Sequence, residues 1–378
     1  MSQKKNYMFT PGPTMVPQEV QLAEAQQMIH HRTDQFSEIL KRVCDRMKKL
    51  YGTDQDVYTV MGTGTAAMEA AVANVCSPGD TVLCAPAGKF GMRWGELCEA
   101  YGCDVVNIDI EWGESLTADM VREALDENPG ARALYMTHCE TSTGALSDVE
   151  EIAAVTRETD TLLAVDAITS IGVHPFKMDE WGVDAAVCGS QKGCMVPPGL
   201  SFISVSDRAW DVIEEASSPT YYLDLLAMRS KWEGHQTPFT GAVTLVRALD
   251  KALEMIFDEG LENLYARHAK LAEATRAAVD ALGLELVADN PANCVTAVYG
   301  PEGMHTGEIK KKMMQDYGVT IAGGQKHLKG KILRLGHMGY VSEEDLSVLL
   351  GALERALHEM GYDFDCGAGV SAAMDVLG

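Results

Sequence analysis

From residue 57 to residue 205 the chain repeats one unit: a short apolar run, a turn, then an amphipathic stretch. No other feature constrains the fold as much. A short run that is apolar on both faces reads as a strand covered from both sides, and returning to the same sheet in the same direction requires a helical crossover. Candidate strands lie at 57–61, 81–85, 104–110, 132–137, 161–165, 184–188 and 201–205. Between them, Thr117 is placed to cap a helix over 118–127 that Asn128-Pro129-Gly130 closes. Ser147-Asp148-Val149-Glu150 reads as a capping box for a helix running towards Thr159. The pattern predicts an α/β fold: a mainly parallel seven-stranded sheet flanked by helices.

After residue 205 the rhythm changes. Helices are expected at 222–228 and 242–258, followed by a second, smaller α+β unit. That unit reads as a helix (261–282), strands at 284–288 and 294–299, a helix (306–317), a strand (331–335) and a last helix (342–360). In the last helix Leu346, Leu349, Leu353, Leu357 and Met360 share one face. The predicted organisation is an arm (1–20), a large domain (21–258), a small C-terminal domain (259–362) and a tail (363–378), frayed or docked on a neighbour.

Acidic residues outnumber basic ones 55 to 31, a formal charge of −24, which repels a phosphate backbone and argues against nucleic acid as a partner. No stretch is long and apolar enough to suggest a membrane span. The ten cysteines contain no CxxC pair and the ten histidines no HExxH, so no metal pattern emerges. Reduced thiols, an N-terminus without an apolar signal core and an ending, Val376-Leu377-Gly378, that is no peroxisomal address predict a cytoplasmic protein.

Three segments follow predicted strands and carry chemistry. Gly62-Thr63-Gly64-Thr65-Ala66 is a Gly-rich turn opening a helix, where unpaired N–H groups and the helix dipole favour an anion. A dinucleotide would need an acid at the end of the next strand, but that strand runs into Cys84-Ala85-Pro86, so a single phosphate is favoured. Asp166 follows the run 161–165, and Lys192 follows 184–188 within Gly189-Ser190-Gln191-Lys192-Gly193. Each motif alone also has a plain reading: a tight turn, a loop-start cap, a solvated charge. Together they put a phosphate cradle, a carboxylate and a lysine on one edge of one sheet, and Phe90, after another strand, adds a flat face. Phosphate, ring nitrogen, aldehyde and aromatic ring are the four handles of pyridoxal phosphate, with Lys192 as the Schiff-base former and Asp166 keeping the ring nitrogen protonated.

With those residues in place, the chain resembles the class-V, fold-type I aminotransferases, and most of all the alanine–glyoxylate, serine–glyoxylate and serine–pyruvate group. The likeness runs from Phe9 to about Tyr362. It is carried by the stretch 61–70, His138-Cys139-Glu140-Thr141-Ser142-Thr143-Gly144, Val165-Asp166, Gly189–Gly193, Pro197–Leu200, Thr237–Thr240 and Leu333–Gly336. The resemblance implies pyridoxal 5′-phosphate as cofactor. It gives Thr63, Gly64, Thr65 and Gln191 to the phosphate, Phe90 and Ile168 to the two ring faces, and Thr141 to the phenolic oxygen. Thr237 resembles a phosphate contact donated by a second subunit, which implies a homodimer with shared sites. Arg334 matches the clamp on the substrate carboxylate, and Pro11-Gly12-Pro13 the arm lining the substrate pocket, with Gly12 as its contact. His30-His31-Arg32 matches a further signature without an assigned role, and Gly234 stands where some relatives carry a Tyr, with His235 or Gln236 as substitutes.

The implied reaction is a ping-pong transamination from a small amino acid, alanine or serine, to glyoxylate or pyruvate. Ureidoglycine, pyridoxamine or phosphonate transamination stays among the alternatives. For a second phosphate, Lys326, His327 and Lys329 read as a solvated loop. Cysteine desulfuration is disfavoured, because 317–336 has no Cys and the stacking position is Phe90 rather than His. The Asp166/Lys192 pair argues against a fold kept only for binding.

Overall fold

The computed structural model describes residues 5–378, so the first four residues of the expected arm lie outside the described residues. Thirteen strands form in chain order: β1 (Tyr7–Phe9), β2 (Val57–Met61), β3 (Thr81–Cys84), β4 (Asp104–Asn107), β5 (Ala133–Thr137), β6 (Cys139–Glu140), β7 (Ala145–Leu146), β8 (Leu162–Asp166), β9 (Ala185–Gly189), β10 (Leu200–Val205), β11 (Val295–Tyr299), β12 (Val319–Gly323) and β13 (Ile332–Gly336). Seven of them make one sheet in the order β2-β10-β9-β8-β5-β3-β4. β10 runs antiparallel to both neighbours, and the β9–β8, β8–β5, β5–β3 and β3–β4 pairs are parallel. Since β10 opposes both β2 and β9, those two point the same way. The C-terminal ends of β2, β3, β5, β8 and β9 therefore share one edge. In an open α/β sheet that is the edge where ligands bind.

Every residue of β5, β8, β9 and β10 is buried, as expected for mostly apolar strands covered on both faces. The helices Gly64–Val75, Lys89–Ala100 and Val149–Thr156 return the chain between parallel strands. A large apolar core surrounds this sheet, with Tyr51, Trp94, Tyr135 and Phe202 among its fully buried side chains. A second sheet, ordered β1-β12-β13-β11, supports a separate core in which Phe9, Leu271, Leu335, Leu349 and Leu353 pack together. The N-terminal arm supplies β1, which pairs parallel with β12.

Several local expectations are corrected. Asp148, not Ser147, caps Val149–Thr156, accepting the Glu151 N–H at 3.0 Å, because the Ser147 hydroxyl is taken by the Leu116 N–H. The helix expected at 222–228 starts at Leu225, where Asp224 is the cap. No strand forms at 284–288; Leu286 makes one isolated bridge to Val298. The tail is not frayed. It forms the helix Ala368–Leu377, whose Ala373 and Leu377 join the second core. The buried Glu354 carboxylate accepts the Gly367 and Val370 N–H groups at its start, an acid at the positive end of the helix dipole. No helix among the described residues is long and apolar enough to cross a membrane, and all ten cysteines are free.

Candidate active site

The shared edge of the large sheet opens into one cavity. Its lining includes Thr63, Gly64, Thr65, Phe90, Thr141, Asp166, Ile168, Gln191 and Lys192, so nine of the twelve residues singled out from the sequence meet there. Each arrives by the same construction. β2 ends at Met61 and the helix Gly64–Val75 begins at once, with Thr63 as an N-cap whose side chain makes no capping bond. The first N–H groups of that helix are thus left for another acceptor. A Cβ at Gly64 would collide with Ile168 Cδ1, so glycine lets the turn close over that side chain without displacing it. Asp166 is the last residue of β8, and Gln191 and Lys192 follow β9 after one intervening residue, Ser190.

Asp166 is 4 % exposed and one of its oxygens accepts the Ile168 N–H at 2.8 Å. Burial raises its pKa to about 7, against the lowering effect of that N–H and of the Lys192 and Arg93 charges. Lys192 is 9 % exposed. Burial lowers its pKa to about 8, with the Arg334 charge adding to the effect and Asp166 opposing it. Its Nζ donates to the Pro11 carbonyl at 2.5 Å, and Thr14 Oγ donates to the Lys192 carbonyl at 3.2 Å. The arm is therefore laid across the lysine. Gly12, at φ +114°, approaches so closely that a Cβ there would occupy the space of the lysine side chain.

Arg334 lies on the other sheet, in β13, paired with Ala297 of β11 and Ala322 of β12. Its Nε donates to the Gly323 carbonyl at 2.9 Å and its Nη1 to the Thr141 carbonyl at 2.7 Å, which fixes the guanidinium plane against the cavity wall. Burial lowers its pKa to about 10, so it stays charged at neutral pH.

Thr237 is not in this cavity. It is buried in the loop after the helix Leu225–Trp232, where its hydroxyl donates to the Phe239 carbonyl at 2.6 Å. Arg32 holds that loop, donating to Gln236 Oε1 at 2.9 Å and to the Thr237 and Pro238 carbonyls at 2.7 and 3.3 Å. Gln236 also donates to Ser37 Oγ, so its side chain is engaged within its own chain.

Two residues around the site were not legible in advance. Arg93 lines the cavity, donates to Thr65 Oγ at 3.0 Å and holds its guanidinium 5.0 Å from the Phe90 ring centre. Its signal was the Phe90–Arg93 spacing, one turn apart on a helix. Glu140, 1 % exposed, accepts the Phe90 and Gly91 N–H groups on one oxygen and the Ser142 N–H and hydroxyl on the other. It pins the first turn of Lys89–Ala100, and with it the Phe90 ring.

A family model described as aminotransferase class-V matches residues 6–349. A Synechococcus protein named as the small subunit of soluble hydrogenase is 43% identical, covering 99% of each chain. An L-aspartate–glyoxylate aminotransferase of Paracoccus denitrificans is 38% identical over 98% of this chain and 96% of its own. A serine–glyoxylate aminotransferase of Methylorubrum extorquens is 36% identical over 99% and 96%. The solved ureidoglycine–glyoxylate aminotransferase of Bacillus subtilis superposes with a TM-score of 0.93 at 30% identity, covering 100% of this chain and 99% of that one. With its fold, its mostly parallel seven-stranded sheet and its sequence all matching, this chain belongs to the class-V aminotransferases.

Proposed function

We propose that the cavity binds pyridoxal 5′-phosphate and that the enzyme moves the amino group of a small amino acid, alanine or serine, to glyoxylate or pyruvate. The observation that carries this reading is the convergence of Lys192 and Asp166, both buried, with an uncapped helix start on one cavity. The residues present suit the coenzyme. The N–H groups at Thr63–Thr65 and the buried, partnerless Gln191 Oε1 frame a phosphate site, the latter accepting from a protonated phosphate oxygen or a water. Phe90 and Ile168 offer two apolar faces, and Asp166 a carboxylate for a ring N–H. When bound, the coenzyme supplies a ring that accepts the electron pair left as a substrate C–H bond breaks.

The chain's own residues do the rest. Lys192, with its pKa drawn down to about 8, keeps a neutral fraction near neutral pH and serves as nucleophile and then as base for the substrate α-proton. Asp166 would hold the proton on the ring nitrogen, and Thr141, which lines the same cavity, would meet the phenolic oxygen. Arg334 binds the substrate carboxylate through its Nη2, which has no protein partner among the described residues. Gly12 and its neighbours close the pocket over Lys192.

We further propose a homodimer in the cytoplasm, with Thr237 serving the partner's phosphate. Beside its loop, Tyr221 is 80% and Tyr222 46% exposed, and both rings contact Phe239, an aromatic surface suited to a second copy. Nine buried free thiols suit a reducing compartment.

The test is direct. Added pyridoxal phosphate is expected to give the protein a visible absorbance band, and alanine or serine with glyoxylate or pyruvate to turn over. Lys192→Ala is expected to lose the protein-linked band and at least about 10⁴-fold in turnover. A panel of alanine, serine, aspartate and ureidoglycine sorts the donors, and a preference for either of the last two replaces the small-donor reading.

A further inference from the structure

We propose that Cys139 and Cys294 form a modification site: a thiol pair at the cavity wall that a hydroperoxide converts to a disulfide. Their sulfurs lie 2.9 Å apart. Cys139 sits in β6 and lines the cavity beside Thr141, Thr169 and Lys192. Cys294 directly precedes β11 and is fully buried behind it. Joining them needs less than about 1 Å of approach.

The surroundings divide the two roles. Burial opposes charge on Cys294, but hydrogen bonds from Cys139 and His174 outweigh it and hold this sulfur towards the thiolate, a ready proton acceptor. Cys139, hydrogen-bonded to Cys294, stays a thiol and is the sulfur that a molecule in the cavity meets first. Hydrogen peroxide, scarcely larger than water, fits the approach. The Cys139 sulfur attacks one peroxide oxygen and the O–O bond breaks. The Cys139 proton reaches the departing hydroxide by way of Cys294, giving water and a sulfenic acid. The Cys294 thiolate then attacks that sulfur, the S–O bond breaks, and the hydroxide leaves and takes a proton from solvent as a second water. One thiol, one thiolate, one peroxide and one proton become one disulfide and two waters, the two electrons passing from sulfur to oxygen.

The bond would tie two structural units together. Cys139 lies two residues before Thr141, whose carbonyl Arg334 holds, and Cys294 leads into the strand paired with the one that carries Arg334. Other thiols neighbour one another in the core, Cys76 with Cys103 and Cys188 with Cys194, but none of those four lines the cavity. The inference does not depend on the coenzyme or the substrate.

The experiment uses the full chain, reduced, desalted and exposed to stoichiometric hydrogen peroxide, then alkylated, digested and weighed. The expected result is an intact mass lower by two hydrogens and a linked pair of peptides holding Cys139 and Cys294, released by dithiothreitol, with the remaining thiols alkylated. In Cys294→Ser the reaction is expected to stop at a Cys139 sulfenic acid trapped by dimedone, whereas Cys139→Ser gives no adduct at Cys294. The proposal is overturned if both cysteines are recovered alkylated, if they oxidise separately, if another pair links first, or if the adduct appears on Cys294 in Cys139→Ser.

Discussion

The floor of the cavity and the 236–238 loop hold their residues by opposite means. Asp166, Gln191 and Lys192 are fixed by strand ends of one sheet, whose backbone is fully buried around them. Thr237 is fixed by a loop that one exposed arginine fastens from 205 positions away. The first arrangement sets electrostatics: burial is the largest influence on both, moving Asp166 up to about 7 and, with help from the Arg334 charge, Lys192 down to about 8. The second sets only position. Chemistry that needs shifted proton affinities belongs on rigid buried elements, and a contact that needs reach can be carried by a loop.

If burial governs the floor, the ligand-free protein reports it in its stability. The Asp166 pKa is raised in the folded state, to about 7 from 3.8, so the native protein keeps a proton that the unfolded chain has released. Stability from this group is present below pH ~4 and is lost as pH rises to ~7, by up to about 4 kcal/mol. That is the reverse of an ion-paired carboxylate. Denaturation midpoints of the ligand-free protein are expected to fall over this range, and Asp166→Asn to flatten the slope. An unchanged slope would show that the floor is wetter than its geometry.

The next effect separates burial from hydrogen bonding. Glu140→Ala strips the acceptor from three N–H groups and one hydroxyl, all but closed to water, and is expected to cost about 3 kcal/mol in denaturant unfolding and to weaken pyridoxal phosphate binding through the loosened Phe90. Glu140→Gln retains the acceptor oxygen and is expected to recover part of both. Affinity that stays constant while stability drops would detach Glu140 from the ring.

These two residues also mark where sequence reading stops. Asp166 and Lys192 were legible because each follows an unbroken apolar run, and the parallel pattern sends such runs to one edge. Glu140 was visible as a motif letter only; its four bonds come from segments about 50 positions apart and leave no period. Likewise β12 was missed, since a strand that ends in Ala322-Gly323 shows little apolar periodicity, and β1 because three residues are too few to signal. The tail helix was missed for a related reason: it is stable only against the helix and the Glu354 carboxylate it lands on.

Arg334 belongs to neither region: it is a residue of the small sheet bonded to a carbonyl of the cavity wall. Arg334→Ala is expected to lower kcat/KM about 100-fold for every amino acid and oxo acid alike, the value of one charge-assisted pair. Arg334→Lys is expected to recover little, because a point charge cannot hold Gly323, Thr141 and a substrate in one plane. A loss confined to one substrate would move the carboxylate clamp elsewhere.

The smallest effect tests the loop itself. Arg32→Ala removes three hydrogen bonds to residues 236–238, partly exposed, and is expected to cost only about 1–2 kcal/mol. If Thr237 serves the partner's coenzyme, that loss is expected to appear as roughly tenfold weaker pyridoxal phosphate binding that worsens on dilution, while the pH dependence set by Asp166 and Lys192 stays in place. The dilution readout matters, because a loop that only stabilises its own chain would respond to denaturant and not to protein concentration. Arg32→Ala with full affinity at every concentration would leave Thr237 a structural residue and return the whole site to a single subunit.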